Sequence, residues 1–279
     1  MLSKCIEQAV AERRRHLNDV KGRVIETEIR LGVRADESGR RTKDETACRW
    51  FASNIGETHF FATFHILASH AGVEISEKST STHHRFASEV APSAVRCEID
   101  GGGERWTHKH VLSQHDFTHD SWFDVRVAVA EETRVAAPPG ILEARQMATR
   151  VHNAWEQQRT RLSLPVHTRR RVRRSLRFVW APAWRVDFTE VQSSQRIEAF
   201  HNSATVTEHA FVNQEDTREI ELELIADNDD DEGDAELAHQ ATRLLTELAT
   251  ALGATPAEAR RRVDNDRRIA EMRTMLTSI

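Results

Sequence analysis

The sequence predicts an α+β fold in which many antiparallel strands close into a barrel or stack as a sandwich, with amphipathic helices alongside. Three observations predict it. Two segments about 190 residues apart alternate glutamate with apolar residues: Val24-Ile25-Glu26-Thr27-Glu28-Ile29-Arg30-Leu31-Gly32 and Arg218-Glu219-Ile220-Glu221-Leu222-Glu223-Leu224. A third, Arg169-Arg170-Arg171-Val172-Arg173-Arg174-Ser175-Leu176, puts Arg169, Arg171, Arg173 and Ser175 on one side, although its other side is only half apolar. Short strand-like runs broken by turn signals fill much of the remaining chain.

Residues 2–20 read as an amphipathic helix, with Ile6, Val10 and Leu17 spaced for one face. The first acidic strand follows at 23–32, then polar residues 34–46 with a turn at Asp36-Glu37-Ser38-Gly39. Cys48 to His70 reads as a mixed helical stretch whose Trp50, Phe51, Phe60, Phe61, Phe64 and Leu67 would pack against the strands. From 73 to 132 come short strands: Val73-Glu74-Ile75, Ala94 to Ile99, Trp106 to Leu112 and Phe123 to Val129. Asp116-Phe117-Thr118 reads as loop. Pro138-Pro139-Gly140 breaks the chain, residues 141–160 look helical, and strands run from 168 to about 225. The acidic run Asp227 to Asp234 suits a solvated loop or helix N-terminus. A helix at 235–252 carries Leu237, Leu244, Leu245, Leu248 and Leu252, and Thr255-Pro256 starts another, to about 276. The helices are expected to pack on the sheet, so that residues 1–279 form one domain: helix 1–22, strands 23–226, helices 227–279.

Side chains alternate faces along a strand. Glu26, Glu28 and Arg30 therefore share one face, opposite Ile25, Ile29 and Leu31; Glu219, Glu221 and Glu223 lie opposite Ile220, Leu222 and Leu224. Were the two strands paired, five carboxylates would meet on one surface. Neighbours on a strand face sit roughly 7 Å apart and repel by about 2 kcal/mol at an effective dielectric near ~20. Enclosed, they need protons, arginines or a divalent metal. One such strand alone is ordinarily half-buried with a solvated face, and one basic run is ordinarily a surface patch or nuclear-localisation signal. Acidic and basic rows together suggest a site where arginines hold a polyphosphate and carboxylates hold the metal bridging it. Two architectures accommodate the charged rows: facing solvent around an apolar core, or lining a polar tunnel whose outer wall is covered by helices.

Composition is consistent with both. The net charge of −5 argues against a general nucleic-acid coat, yet it conceals segregation: residues 144–185 hold eleven arginines and one acid, residues 215–236 twelve acids and one arginine. Cys5, Cys48 and Cys97 are isolated, which suits a reducing compartment and neither a disulfide framework nor a CxxC zinc motif. No run looks long and apolar enough to span a membrane and the N-terminus lacks a secretory core, so a soluble intracellular protein is expected. His115-x-x-x-His119 has zinc-ligand spacing only on a helix, so zinc at His108, His110, His115 and His119 is disfavoured.

Glu26-x-Glu28-x-Arg30-x-Gly32, Arg169-x-Arg171-x-Arg173-x-Ser175 and Glu219-x-Glu221-x-Glu223 resemble, in order, the three defining motifs of the fungal and protozoan metal-dependent RNA 5′-triphosphatases, members of the triphosphate tunnel metalloenzymes that catalyse the first step of mRNA capping. Trp184-Arg185-Val186-Asp187-Phe188-Thr189-Glu190-Val191 resembles the strand following the arginine motif, and the compact length is closer to the protozoan members. The resemblance implies the tunnel, an antiparallel barrel with a charged interior. It implies that Glu26, Glu28 and Glu223 hold Mn²⁺ or Mg²⁺, with Glu219 and Glu221 in support, and that Arg169, Arg171 and Arg173 contact phosphate or fix the glutamates. Arg171 stands where the family usually has lysine, keeping the charge with a different geometry. Weaker matches add Arg30, Arg96, Lys109 and Arg126 to the phosphate-binding cations. Glu132, or else Glu131, matches the glutamate that orients the attacking water; strict alternation from Asp124 selects Glu132. Arg171, Arg173 and Lys109 join Glu132 in the implied catalytic set. An acid is also expected near residues 78–88, and none is there.

The activity implied is removal of the γ-phosphate from 5′-triphosphate RNA, in the nucleus, with a separate guanylyltransferase, since Cys97-Glu98-Ile99-Asp100-Gly101 lacks the lysine of a nucleotidyl-transfer motif. A homodimer is compatible with it. Two rivals remain: a tunnel phosphohydrolase acting on tripolyphosphate, thiamine triphosphate or nucleoside triphosphates, and a non-catalytic RNA- or protein-binding barrel.

Overall fold

A computed structural model describes residues 2–19, 24–35, 50–86, 95–118, 123–135, 167–193, 195–201, 204–210, 216–225 and 233–253. In chain order its elements are α1 (Leu2–Asp19), β1 (Val24–Ala35), β2 (Trp50–Ala52), α2 (Glu57–Ala68), β3 (Val73–Ile75), β4 (Ser79–Phe86), β5 (Val95–Asp100), β6 (Gly103–Thr118), β7 (Asp124–Arg134), β8 (His167–Phe178), β9 (Ala181–Ser193), β10 (Gln195–His201), β11 (Ala204–Ala210), β12 (Thr217–Leu224) and α3 (Asp234–Gly253). Eight strands form a closed antiparallel ring in the order β1-β7-β6-β5-β4-β8-β9-β12, and β12 returns to β1. The short β2 lies beside the C-terminal end of β1, β3 joins β8, and β10–β11 is a separate hairpin.

The barrel is inside out relative to a small barrel filled with apolar side chains. Apolar rows of five adjacent strands face outward: Val125, Val127 and Val129; Ile25, Ile29 and Leu31; Ile220, Leu222 and Leu224; Trp184, Val186 and Phe188; Leu176 and Phe178. The helices cover them with Ile6 and Val10 of α1, Phe60, Phe61, Phe64 and Leu67 of α2, and Leu237, Leu244, Leu245, Leu248 and Leu252 of α3. Phe188 meets Phe60 and Phe64 edge-on at 5.4 and 5.2 Å, and the Trp184 indole N–H donates to the Leu237 carbonyl at 2.9 Å. Each fully buried side chain of this kind contributes about 1.5–3 kcal/mol, so the core lies between wall and helices.

The charged rows consequently face the lumen. Lys109 on β6 reaches Glu26 on β1 across β7, and Arg171 on β8 reaches Glu219 and Glu221 on β12 across β9. Side chains bridge over an intervening strand only on the concave side of a curved sheet. Of the two architectures open to the sequence, the tunnel is the one adopted. Among the described residues, no helix is long and apolar enough to cross a membrane.

Four local expectations change. Cys48–His70 is not one helix: β2 pairs Phe51 with Arg34, and α2 begins only at Glu57, after Gly56. Ser53 and Asn54 break the helix by spending their side chains on Glu219 and on the Arg218 N–H. Asp116-Phe117-Thr118 is the end of β6, not loop, because Asp116 faces Arg126 on β7. Residues 79–86 form a strand that alternation could not reveal, since every residue before Phe86 is polar whichever face it takes. β1 runs three residues past 32, to Ala35. The expected turn at 36–39, the break at 138–140, the helices at 141–160 and 255–276, and most of the acidic run lie outside the described residues.

Candidate active site: the charged lumen

Register decides which side chains meet. β1 pairs Glu28 with Glu223 and Arg30 with Glu221; β12 pairs Glu223 with Arg185, Glu221 with Asp187 and Glu219 with Thr189. β8 then aligns Arg173 with Thr189 and Ser175 with Asp187. On the other side of β1, Glu26 and Glu28 lie beside Ala130 and Ala128 of β7, whose small side chains let Lys109 cross from β6. A bulge between Val111 and Ser113 shifts the parity of β6, so that Lys109 and Asp116, seven positions apart, both face inward.

Three charge clusters result. In the first, Lys109 Nζ stands 2.7 Å from Glu26 and 3.5 Å from Glu28, and Arg96 lies 3.5 Å from Glu132. Burial works against the Lys109 ammonium, but Glu28 and Glu26 outweigh it and raise its pKa. Burial and the charge of Glu26 raise Glu132. In the second, Arg30 bonds Glu28 at 2.8 Å through Nε and lies 2.9 Å from Glu221, while Arg171 stands 3.3 Å from both Glu219 and Glu221. Burial favours neutral Glu28, yet Arg30 and Lys109 overcome it and hold the carboxyl well below its usual range. Glu221 goes the other way: burial, with Glu28 and Glu219 adding to it, pushes it up to about 7 against Arg30 and Arg171.

In the third cluster, Arg185 forks onto Asp187 at 2.8 and 2.9 Å and also bonds Glu223. Ser175 donates to Asp187 at 2.6 Å, and Arg173 lies 3.4 Å from it. Burial pushes Glu223 up to about 7, Arg185 opposing and Glu26 reinforcing.

Every singled-out side chain of the three motifs from Glu26 to Glu223 thus lies on the lumen wall, as do Arg96, Lys109, Arg126 and Glu132. Glu131 pairs with His110 on the outward parity. Arg30, Arg171 and Arg126 are committed to carboxylates, the last gripping Asp116 at 2.7 and 2.8 Å. Arg96 and Arg173, with side chains 36% and 40% exposed, and exposed Arg169 are the cations best placed to meet an incoming anion. On β4 the inward row is Ser79, Ser81 and His83 with no acid; the carboxylate at that level is Glu98, the β5 partner of His83. Sequence reasoning missed Arg185 and Asp187 as site residues, although their alternation with Trp184, Val186 and Phe188 was a readable signal. It also missed Asp116, Glu98, His83 and Phe51, which only register places.

The donor set of Glu26, Glu28 and Glu223 suits a hard divalent cation: three carboxylates on two paired strands, where burial, with Glu26 adding to it, makes Glu223 resist ionising. Among the described residues no three such side chains converge in ligating geometry, since Lys109 and Arg185 occupy the carboxylates.

No family model and no curated sequence matches the chain. Solved structures do. The S. pombe Pct1 RNA triphosphatase in complex with the Spt5 CTD is similar over 97% of this chain and 93% of its own, at 14% identity and a TM-score of 0.54. Pct1 alone gives 0.53 at 14% identity, covering 97% and 91%. The RNA triphosphatase domain of a mimivirus mRNA capping enzyme gives 0.45 at 13% identity, covering 88% and 96%. The closed eight-stranded barrel, its charged lumen and its outer helices are the triphosphate-tunnel fold, shared with the S. pombe RNA triphosphatase.

Proposed function

We propose that this chain is a metal-dependent RNA 5′-triphosphatase that removes the γ-phosphate from 5′-triphosphate RNA, the first step of mRNA capping. The observation that carries the reading is the facing of glutamates and arginines across one enclosed lumen, an arrangement with no use in a barrel that only coats RNA. The reading extends to a single tunnel domain, a nuclear location and work beside a separate guanylyltransferase; a homodimer fits it. Glu26, Glu28 and Glu223 would hold Mn²⁺ or Mg²⁺, which would supply charge neutralisation at the phosphoryl oxygens.

Phosphoryl transfer demands positioning and electrostatics more than covalent work by the protein. Arg173, Arg169 and Arg96 take the phosphate oxygens. Lys109 stands over Glu26 and Glu28, close enough to swing onto a phosphate while holding both carboxylates in place. Glu132, beside Arg96 and in register with Lys109, accepts a hydrogen bond from the attacking water and orients it. Arg171 neutralises Glu219 and Glu221, and Arg185 fixes Glu223 and Asp187, so the acidic floor does not repel the substrate.

The test is release of γ-phosphate from 5′-triphosphate RNA with Mg²⁺, with Mn²⁺ and with chelator, against ATP and inorganic tripolyphosphate. Metal-dependent release from RNA is expected. Turnover of the small polyphosphates alone would move the function to another tunnel phosphohydrolase, and no turnover of any substrate would leave a binding barrel.

A further inference from the structure

His83 is an inward histidine of the basic wall, and the clusters above do not use it. Its side chain is 12% exposed. Nε2 lies 2.8 Å from the Ser81 hydroxyl and 3.5 Å from a Glu98 oxygen. On β8 it is the register partner of Arg169, with Arg171 and Arg173 opposite Ser81 and Ser79 along the same row. On β5 it faces Glu98, and Arg96 lies on the same side. Glu98 is shared with Arg105 of β6 at 3.5 Å, and Glu219 of β12 meets this wall at Arg171, 3.3 Å away, and acts on Arg169. A small imidazole therefore sits among four guanidiniums, and the carboxylate beside it, Glu98, is shared with Arg105.

We propose that His83 is a substrate-contacting group of the lumen, neutral in the free protein, which takes up a proton from solvent as a polyphosphate binds and becomes a cationic donor to the phosphate chain. The inference rests on the phosphate-binding reading above. Burial disfavours the imidazolium, and Arg171, Arg96, Arg173 and Arg169 add to this, bringing the pKa down to about 3 in the free protein. An anionic chain lying against those arginines cancels the repulsion and sets phosphate oxygens beside the ring. The imidazole then returns toward its ordinary range, both nitrogens become donors, and one proton is gained per molecule bound. The sign is set by linkage: a group whose pKa rises on binding makes binding tighter as pH falls through the bound-state value. A return to about 6.5 implies a gain of about 4-fold at pH 6 and about 11-fold at pH 5.5. A histidine serving only to hold Ser81 and Glu98 would give no such gain.

The experiment uses the full chain with inorganic tripolyphosphate in chelator, so that neither metal nor turnover enters. Histidine-ring NMR follows the His83 signal, assigned by its loss in His83→Gln and in His83→Asn, from pH 8 to 5 with and without the anion. Calorimetry gives the affinities of wild type and His83→Gln over the same range, and their ratio removes the ligand's own titration. The expected result is a His83 ring neutral down to pH 5 alone, protonated near pH 6 with tripolyphosphate bound, and a wild-type advantage growing from none at pH 8 to about 11-fold at pH 5.5. Binding with an unshifted His83 signal overturns this inference and leaves the functional reading standing, and the wild-type spectra alone can show it should a variant fail to fold. A ratio flat with pH does the same. Failure of tripolyphosphate to bind at any pH overturns this inference alone, since the functional reading stands or falls by metal-dependent release of γ-phosphate from RNA.

Discussion

Gly32, the last residue of the first glutamate motif, offers a steric test of how the lumen is assembled. It shares the inward parity of Glu26, Glu28 and Arg30, and β2 crosses close above it. A methyl at its Cα would stand 2.3 Å from the Ala52 carbonyl oxygen and 2.5 and 2.9 Å from Cε1 and Cζ of Phe51. Ordinary contact needs roughly 1 Å more than the first of these distances. The Phe51 ring can turn; the carbonyl cannot retreat alone, since β2 is held to β1 at three register positions and the next residues bond Glu219 and Arg218. Gly32→Ala therefore forces β2 away from Gly32, at the cost usual for an overpacked site, about 1–3 kcal/mol. At about 2–4 °C per kcal/mol for chains of this size, the thermal midpoint should fall by roughly 2–12 °C. The Arg126 guanidinium, 4.5 Å from the Phe51 ring centre, loses its stacking partner in the same movement. Circular-dichroism melts of Gly32→Ala, Phe51→Ala and the double variant separate the two contacts. Removing the ring should restore only part of the loss, because the carbonyl clash remains. An unchanged midpoint in Gly32→Ala, or full rescue by Phe51→Ala, would refute the reasoning.

Three further outcomes are expected. Glu28→Ala and Glu223→Ala should lower γ-phosphate release by more than about 100-fold with little change in melting, since Arg30 and Lys109 keep Glu221 and Glu26, and Arg185 keeps Asp187; wild-type turnover in Glu28→Ala would sink the carboxylate assignment. Arg173→Ala should cost about 10-fold or more in kcat/KM because it faces the lumen while Asp187 retains Arg185 and Ser175; Arg174→Ala, on the outward parity, should leave kcat/KM alone, and equal losses would show the strand faces to be reversed. Trp184→Phe gives up the bond to the Leu237 carbonyl and part of the ring filling this fully buried site, so denaturant unfolding should show a loss of about 2–3 kcal/mol with unchanged turnover.

Much of this site was legible because β-strands have a period of two. Glu26 and Glu28, Arg171 and Arg173, and Glu219 to Glu223 each revealed a charged face from five or six consecutive residues, and the apolar residues between them revealed the wall the helices would cover. Legibility failed where that signal was absent. Every residue of β4 before Phe86 is polar, so its Ser81 and His83 could not be sorted into lumen and exterior. On β6 the bulge after Val111 reverses parity, so Asp116 could not be placed by counting from Lys109. Phe51 looked like helix packing because an aromatic residue is compatible with either setting, and its position over Gly32 depends on β2 pairing with β1.

Local chemistry was thus enough to settle the faces of the glutamate and arginine strands, the separation of acidic from basic rows and the presence of amphipathic helices, since each depends on neighbours a few residues away. Closure of the ring was not within its reach: an alternating strand is equally content with its charged face in water or in a lumen. That choice was made by contacts between residues far apart in the chain, where Glu28 meets Glu223, Lys109 crosses β7 to Glu26 and Arg171 crosses β9 to Glu219 and Glu221. Enclosure makes those charges costly unless paired, and the pairing required to enclose them is what sets the electrostatics of the site.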